Sequence, residues 1–179
     1  MYKNILITGG AGYVGANLVP KLLNDGYIVT VFDLMLYGED VFSDHPNLKV
    51  VKGDLRDQDL LKESMKNQEA VIHLACISND TSFELNEKLS KSINYDAFEP
   101  MVIASKKLNV KRFIYASSGS VYGIKNEKKV KENLELDPIS LYNKVKMVTE
   151  RVILSYQKNF DVFIVRPATV CGFSSRMRL

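Results

Sequence analysis

The chain has 179 residues, of which 46% are hydrophobic and 25% charged, and its net charge is +3. A chain of this length can bury one good core, so we expect one domain. The small net charge does not support a nucleic-acid partner, and no apolar run approaches the roughly 20 residues that a membrane span needs. The chain enters a strand directly after its first residues, so we expect no signal peptide and a cytoplasmic location. Cys76 and Cys171 end apolar runs, which indicates buried thiols in a reducing compartment.

Six short β-branched runs alternate with four longer helical patterns. The predicted strands are Asn4–Thr8, Ile28–Phe32, Leu48–Lys52, Ala70–Ala75, Arg112–Ser117 and Asp161–Val165. The predicted helices are Gly12–Asp25, Asp57–Lys66, Ser92–Leu108 and Ser140–Lys158, with Asp57 and Ser140 as caps and Gly26 in a left-handed turn. Such apolar runs are typical of strands buried on both faces. The alternation predicts an α/β fold, a Rossmann-type doubly wound parallel sheet with helices on both faces. The loops 34–47 and 78–83 leave the carboxyl ends of strands, where such sheets bind ligands.

Gly9, Gly12 and Gly15 are spaced three apart in the connection between the first strand and the first helix. Glycine lets the backbone approach a pyrophosphate closely, and the helix N-terminus offers free amides and the positive end of its dipole. A glycine triplet alone is a weak signal, but the strand–turn–helix context predicts a dinucleotide site.

Asp33 follows the second strand, 18 residues after Gly15. A carboxylate there accepts both ribose hydroxyls of an adenosine and repels the 2′-phosphate of NADP, and no arginine follows closely in the sequence, so we expect NAD. Asp54 follows the third strand, where a carboxylate can meet the adenine amino group. We interpret His73 as a packed strand residue, and no cluster has the spacing of metal ligands.

Tyr142 and Lys146 lie four residues apart on a predicted helix, so both side chains share one face. The pair follows the fifth strand, whose end carries Ser118. A phenol with a pKa of about 10 is a poor base at neutral pH, but an adjacent ammonium and a positively charged nicotinamide would lower that pKa. The sequence therefore predicts a catalytic trio in which Tyr142 is the base, Lys146 assists it and Ser118 orients a substrate hydroxyl.

The ordered set of these features resembles the extended short-chain dehydrogenase/reductases, and within them the NAD-dependent nucleotide-sugar epimerase/dehydratase family, typified by UDP-glucose 4-epimerase. The matching residues span the whole chain: Thr8–Gly15, Asp33, Asp54-Leu55, His73-Leu74-Ala75, Asn94, Ser118–Gly123, Tyr142, Lys146 and Arg166–Gly172. The resemblance implies that the cofactor contacts are Gly9, Gly12, Tyr13, Val14 and Gly15 at the pyrophosphate, Asp33, Asp54 and Leu55 at the adenosine, and Leu74, Ala75, Asn94, Tyr142, Lys146 and Ala168 elsewhere. The implied substrate contacts are Ser118, Ser120 and Thr169.

One departure from the family pattern bears on the reaction. Dehydratases of this family usually carry Thr-Asp-Glu before Val-Tyr-Gly, whereas this chain has Ser118-Gly119-Ser120, without an acid. The leading hypothesis is therefore an NAD-dependent nucleotide-sugar epimerase, acting at C4 by transient hydride transfer to NAD through a keto-sugar intermediate. The alternatives are an NAD(P)-dependent keto-sugar reductase and a non-catalytic dinucleotide-binding sensor module, which would tend to lose the Tyr142–Lys146 pair.

The family resemblance also bears on domains and assembly. Relatives continue for roughly as much again, so we expect an NAD-binding Rossmann domain over residues 1–171, only the start of a substrate-binding region over 172–179, and an absent C-terminal substrate lobe. Arg176 and Arg178 could meet a phosphate, but a solvated tail is the favoured interpretation. The resemblance implies a homodimer through the two long helices that begin at Ser92 and Ser140.

Overall fold

The computed structural model describes residues 2–177 and contains a parallel sheet of six strands in the order β3-β2-β1-β4-β5-β6. The strands are β1 (Asn4–Thr8), β2 (Ile28–Asp33), β3 (Leu48–Lys52), β4 (Ala70–His73), β5 (Arg112–Ala116) and β6 (Asp161–Val165). The α-helices are α1 (Gly15–Asn24), α2 (Gln58–Met65), α3 (Asp80–Glu84), α4 (Glu87–Lys91), α5 (Phe98–Lys107) and α6 (Leu141–Leu154). The predicted doubly wound fold is confirmed. Its strand order reverses between β1 and β4, and ligands bind at the carboxyl edge of such a switch point.

Two clusters of buried side chains lie on the two faces of the sheet. On one face, Val19 of α1 packs with Ile7 and Val31 of the central strands. On the other face, side chains from α2, α5 and α6 pack against the sheet, among them Met101 and Ile153. The central strands are therefore buried on both faces, by α1 on one side and by α2, α5 and α6 on the other.

The prediction of burial on both faces is wrong for the two edge strands. Val50 of β3 is 45% exposed and Phe163 of β6 is 51% exposed. An apolar run predicts a strand but does not tell whether that strand will lie at the centre or at the edge of a sheet.

The predicted helix boundaries are confirmed where a cap defines them. The side chain of Asp57 accepts a hydrogen bond from the Leu60 amide (3.1 Å), and Gly26 has a φ of +85° after α1. The predicted helix Ser92–Leu108 is instead a π-helical turn, Ser92–Asp96, followed by α5. Neither α3 nor α4 was predicted, because five-residue helices are too short to show a period.

Cys76 and Cys171 are both free thiols. Cys76 is half-buried and Cys171 is exposed, so the expectation of two buried thiols is wrong. Within residues 2–177, no helix has both the length and the apolarity to cross a bilayer.

Candidate active site

The glycine turn between β1 and α1 lies at the carboxyl edge of the sheet. Gly9 has a φ of +72°, and a Cβ there would lie 2.5 Å from the backbone nitrogen of Ala75. A Cβ at Gly15 would lie 2.1 Å from the carbonyl oxygen of Gly10. Both positions thus require glycine for the packing of the chain itself.

Gly12 differs, because a Cβ there would meet only the Gly9 carbonyl oxygen, at 3.3 Å, and otherwise point into open space. Helix α1 has no capping side chain and no acidic residue in its first turn. The amides of Ala16 and Asn17 already donate to the carbonyls of Gly12 and Val14 (2.9 and 3.2 Å). The amides of Tyr13, Val14 and Gly15 and the positive end of the dipole are therefore what α1 can offer to an anion. The turn fits a pyrophosphate on geometric grounds.

Asp33 joins the glycine turn to the end of β2. One carboxylate oxygen accepts the Ala11 amide (3.0 Å), and the other accepts the Met35 amide (2.8 Å). An ionised carboxylate offers about four lone-pair positions, so two remain for the hydroxyls of a ribose. Asp33 thus stabilises the glycine turn and can still accept hydrogen bonds from the ribose hydroxyls, the role predicted for it.

The predicted adenine contacts have partners within the chain. Arg56 donates hydrogen bonds to the Asp54 carboxylate through Nε (2.9 Å) and Nη2 (2.5 Å). These bonds hold the pKa of that carboxyl below its usual range. Leu55 is buried in the core, and its carbonyl accepts the Gln58 side-chain amide at 2.7 Å. An adenine contact at this edge stays a prediction and would have to share these groups.

Beside the glycine turn, the half-buried Leu74 and Ala75 directly follow β4, so the predicted strand Ala70–Ala75 ends two residues earlier, at His73. The buried Asn94 lies on the π-helical turn and uses both of its side-chain groups on the backbone of Ile77, accepting its N–H (2.8 Å) and donating to its carbonyl (2.9 Å). Asn94 therefore anchors the loop that follows β4. His73 is a buried strand residue, bonded to Thr8 through Nδ1 (2.6 Å).

Tyr142 and Lys146 share one face of α6, as predicted. Lys146 is buried and donates to the carbonyl of Ala116 at the end of β5 (2.7 Å). Its Nζ lies 5.8 Å from the centre of the Tyr142 ring and 4.9 Å from that of Tyr115. Burial alone would lower the pKa of Lys146, but the facing Cys76 thiol and the two phenols outweigh burial and raise that pKa. Lys146 is therefore a firmly charged ammonium beside the phenol.

The ammonium of Lys146 lowers the pKa of Tyr142, as predicted, but in the chain by itself the effect of burial is larger. Burial raises the pKa of Tyr142 to about 12, and Lys146 opposes that shift only in part. Phe83 of α3, which the sequence did not indicate, contributes to this burial, because its ring meets that of Tyr142 edge-on with centres 6.1 Å apart. Cys76 also faces the phenol. Both residues follow β4, in or beside the loop 78–83 that the sequence marked as ligand-side.

Ser118 follows β5 and begins a short 3-10 helix, Gly119–Tyr122, against which α6 packs. Its half-buried hydroxyl accepts the Ser120 amide (3.2 Å) and keeps its proton free to donate. Ser120 itself is exposed, as are Ala168 and Thr169 after β6. The roles assigned to these four residues stay predictions.

A buried ion pair ties the end of β6 to α6. Arg166 donates to Glu150 through Nη2 (2.6 Å) and Nε (3.0 Å), and its Nη1 donates to the Tyr122 hydroxyl (2.7 Å). The Glu150 hydrogen bonds raise the pKa of Arg166 further above its ordinary value. The segment that leads to Ala168 and Thr169 therefore starts from a position fixed against the helix of Tyr142 and Lys146.

Residues 172–177, here called the strap, return across the carboxyl edge to the glycine turn. The Tyr13 hydroxyl donates to the Gly172 carbonyl (2.5 Å), and the buried Ser174 hydroxyl donates back to the Tyr13 carbonyl (2.8 Å). The Asn17 side chain donates to the Phe173 carbonyl (2.8 Å). The strap is thus bonded to Tyr13, just before α1, and to Asn17 in the first turn of that helix.

The far end of the strap reaches the loop after β2. Arg176 donates through Nη2 to the Gly38 carbonyl (3.0 Å) and to Asp40 (3.1 Å), and its side chain is only 15% exposed. The interpretation of Arg176 as part of a solvated tail is therefore wrong, whereas Arg178 lies outside the described residues. Throughout residues 2–177, no three His, Cys, Asp or Glu side chains are grouped closely enough to hold a metal ion.

Comparison with known proteins gives consistent matches. A family model described as the NAD dependent epimerase/dehydratase family matches residues 5–178. A putative UDP-glucose 4-epimerase of Methanocaldococcus jannaschii is 33% identical, over 94% of this chain and 56% of its own length. The structure of UDP-N-acetylglucosamine 4-epimerase from Methanobrevibacter ruminantium M1, in complex with UDP-N-acetylmuramic acid, is similar with a TM-score of 0.84 and 30% identity, covering 92% of this chain and 54% of that one.

A third relative was solved with a cofactor. MoeE5, in complex with UDP-glucuronic acid and NAD, is similar with a TM-score of 0.80 and 29% identity, covering 91% of this chain and 54% of that one. The chain thus spans about half the length of the relatives that it matches.

Proposed function

This chain belongs to the NAD-dependent epimerase/dehydratase family, and we propose that it forms the cofactor half of a nucleotide-sugar 4-epimerase. The observation that carries the proposal is the pairing of Tyr142 with the buried ammonium of Lys146, on a helix that faces the edge where the glycine turn lies. NAD is the cofactor, since the family depends on it. The open space at Gly12 and the uncapped start of α1 fit its pyrophosphate, and Asp33 fits its adenosine ribose.

When bound, NAD supplies a reversible hydride acceptor for one carbon of the sugar. The residues of the chain have the task of moving the hydroxyl proton on that carbon. Ser118 has a free hydroxyl proton with which to orient the sugar hydroxyl, and Tyr142 takes the proton as the general base. Lys146 stabilises the phenolate that results, because its ammonium lowers the pKa of Tyr142 against the effect of burial. Any further positive charge in the site acts in the same direction as Lys146.

Two observations favour epimerisation over dehydration. Eliminating water needs an acid beside the base, and the segment Ser118–Ser120 has none. Two of the relatives described above are named as 4-epimerases of UDP sugars. UDP sugars are therefore the first substrates to test.

A homodimer in the cytoplasm is part of the same proposal. Ile103 of α5 and Leu154 of α6 are large apolar side chains exposed on the two helices that the resemblance assigns to a dimer. Sedimentation analysis of the purified chain with and without NAD would test the assembly.

The test of the proposed function is the substitution Tyr142→Phe, which removes the phenol oxygen and keeps the ring that packs on Phe83. We expect NAD binding, measured by calorimetry, to be unchanged, and turnover of a UDP-sugar panel to fall by about 100- to 10,000-fold. Tyr27→Phe, on the α1 side of the sheet, is the matched control and should behave as the wild type. Equal turnover in Tyr142→Phe and wild type would exclude Tyr142 as the base. Consumption of NADH in proportion to product would identify a reductase instead. Bound NAD without any turnover would favour a sensor module, provided that the protein assayed also carries the substrate-binding half.

A further inference from the structure

Helix α3 packs against the start of α6 and supports the Tyr142 ring. Phe83 is fully buried, and its ring meets that of Tyr142 edge-on, with centres 6.1 Å apart at 60°. The carbonyl of Phe83 accepts a hydrogen bond from the buried hydroxyl of Ser90 (2.9 Å). The hydrogen bond from Ser90 therefore fixes the backbone of Phe83, and the Phe83 ring limits the motion of the Tyr142 phenol.

Asp80 begins α3 and bonds to residues on both sides of Tyr142. The Ser140 hydroxyl caps α6 by accepting the Asn143 amide (3.2 Å) and donates its proton to Oδ1 of Asp80. The side-chain nitrogen of the buried Asn143 lies 3.5 Å from the same oxygen. Because a carboxylate only accepts, it must face the amide nitrogen of Asn143 and the hydroxyl proton of Ser140. One carboxylate oxygen thus holds the residues that flank Tyr142 in the first turn of α6.

These hydrogen bonds matter more for the orientation of the Tyr142 side chain than for the stability of the domain. Asp80 is exposed, and water can replace hydrogen bonds to an exposed carboxylate at little loss of folding free energy. The direction of the Tyr142 phenol, in contrast, depends on where the first turn of α6 begins, since a helix sets the positions of its side chains. Loosening that turn would misdirect the phenol without unfolding the domain.

We propose that Asp80 is a positioning residue for Tyr142, which acts by holding Ser140 and Asn143 at the start of α6. The inference rests on the proposed function of Tyr142 as the base. The charge of Asp80 works against that function: the groups that face the phenol are Lys146, Cys76, Tyr115 and Asp80, and of these only Lys146 lowers its pKa. The contribution of Asp80 is therefore geometric, and its negative charge can be removed without losing it.

Two substitutions separate the geometry from the charge. Asp80→Asn keeps an acceptor oxygen for Ser140 and loses the charge, whereas Asp80→Ala loses both. Ser140→Ala removes the connecting hydroxyl and leaves Asp80 in place. Asp59→Ala, at an aspartate on α2 whose side chain is 99% exposed, is the matched surface control.

The first measurement is ¹⁹F NMR of the full chain with 3-fluorotyrosine at its 9 tyrosine positions, in which Tyr142→Phe identifies the Tyr142 line. We expect one narrow Tyr142 line in the wild type, Asp80→Asn and Asp59→Ala. Asp80→Ala and Ser140→Ala should shift or broaden that line and leave the others in place. A Tyr142 line in Asp80→Ala that matches the wild type would overturn the proposal, as would equal broadening in Asp80→Asn. If Asp80→Ala does not fold, Ser140→Ala decides by the same criteria.

The second measurement is steady-state turnover of the UDP-sugar substrate. We expect Asp80→Ala to lower kcat by about 10- to 100-fold, while KM changes less than about twofold and Asp80→Asn stays close to the wild type. A lowered kcat in Asp80→Asn equal to that in Asp80→Ala would assign the effect to charge and refute positioning. When the protein assayed also carries the substrate-binding half, absence of turnover in every form together with the expected ¹⁹F lines would reject the proposed function and leave the structural role of Asp80 supported.

Discussion

The ion pair between Glu150 and Arg166 allows a quantitative test of how α6 is held against β6. The Glu150 side chain is 2% exposed and that of Arg166 is 19% exposed. Glu150→Ala would leave the guanidinium largely buried with only its hydrogen bond to the Tyr122 hydroxyl and a long one (3.5 Å) to the Glu132 carbonyl. Removing one partner of a buried pair costs about 3–5 kcal/mol. Because Arg166 keeps these bonds and some contact with solvent, we expect the lower limit, about 3 kcal/mol.

The assay is thermal and urea unfolding at neutral pH. For a domain of this size each kcal/mol lowers Tm by about 2–4 °C, so Glu150→Ala should lower Tm by roughly 6–12 °C. The control is Glu39→Ala, which breaks an ion pair with Lys52 whose side chains are 68% and 64% exposed. Such a surface pair contributes less than about 1 kcal/mol. The double variant E150L/R166M removes both charges and should recover most of the loss, since an apolar pair replaces a buried ionic pair at little cost.

Two outcomes would refute this reasoning. If Glu150→Ala lowered Tm no more than Glu39→Ala, burial would not be what makes the pair matter. If E150L/R166M were as unstable as Glu150→Ala, the loss would come from the missing contacts and not from an unpaired charge.

Three further predictions concern the cofactor edge. Gly15→Ala places a Cβ 2.1 Å from a backbone oxygen, so it should abolish NAD binding and lower the free energy of unfolding by about 3 kcal/mol. Gly26→Ala is the control: its Cβ meets open space at a φ of +85°, so it should lower the free energy of unfolding by about 1–2 kcal/mol and keep NAD binding. Burial, assisted by Lys146, lowers the pKa of His73 to about 3. Between that pH and the ordinary pKa of about 6.5, His73 is therefore protonated in the unfolded state and neutral in the folded state. The free energy of unfolding should therefore fall between pH 6.5 and 3, by up to about 1.4 kcal/mol per pH unit; urea titrations at pH 7 and 4 should show a smaller fall in His73→Gln, and parallel falls would contradict the assignment. Asn94→Ala leaves both backbone groups of Ile77 without the partners they have now, and hydrogen exchange of the loop after β4 should quicken while that of β4 does not.

Local spacing was enough to predict the main parts of the candidate site. The turn at Gly9, Gly12 and Gly15 and the carboxylate of Asp33 can be recognised from the sequence because each lies next to the strand that positions it. The Tyr142–Lys146 pair was predicted for a related reason: the helical period sets its common face, and parallel strands end at one edge of the sheet.

Features that depend on distant packing were not predicted. The pKa of Tyr142 rises because Phe83, 59 positions earlier, helps to bury it, and no local pattern contains that information. Arg176 looked like part of a solvated tail because its partners at Gly38 and Asp40 are more than 130 residues away in sequence. Asp80 was passed over because its helix is only 5 residues long.

The contact between the strap and the glycine turn can form only late in the synthesis and folding of the chain. Tyr13 and the carbonyl of Gly172 that it binds are 159 residues apart in the chain, and every strand after β1 lies between them. Contacts of such separation form late in folding, and a chain that leaves the ribosome from its N-terminus exposes the glycine turn long before the strap exists. A dinucleotide that arrives during synthesis therefore meets an open turn, whereas one that arrives afterwards meets a turn already bonded to the strap.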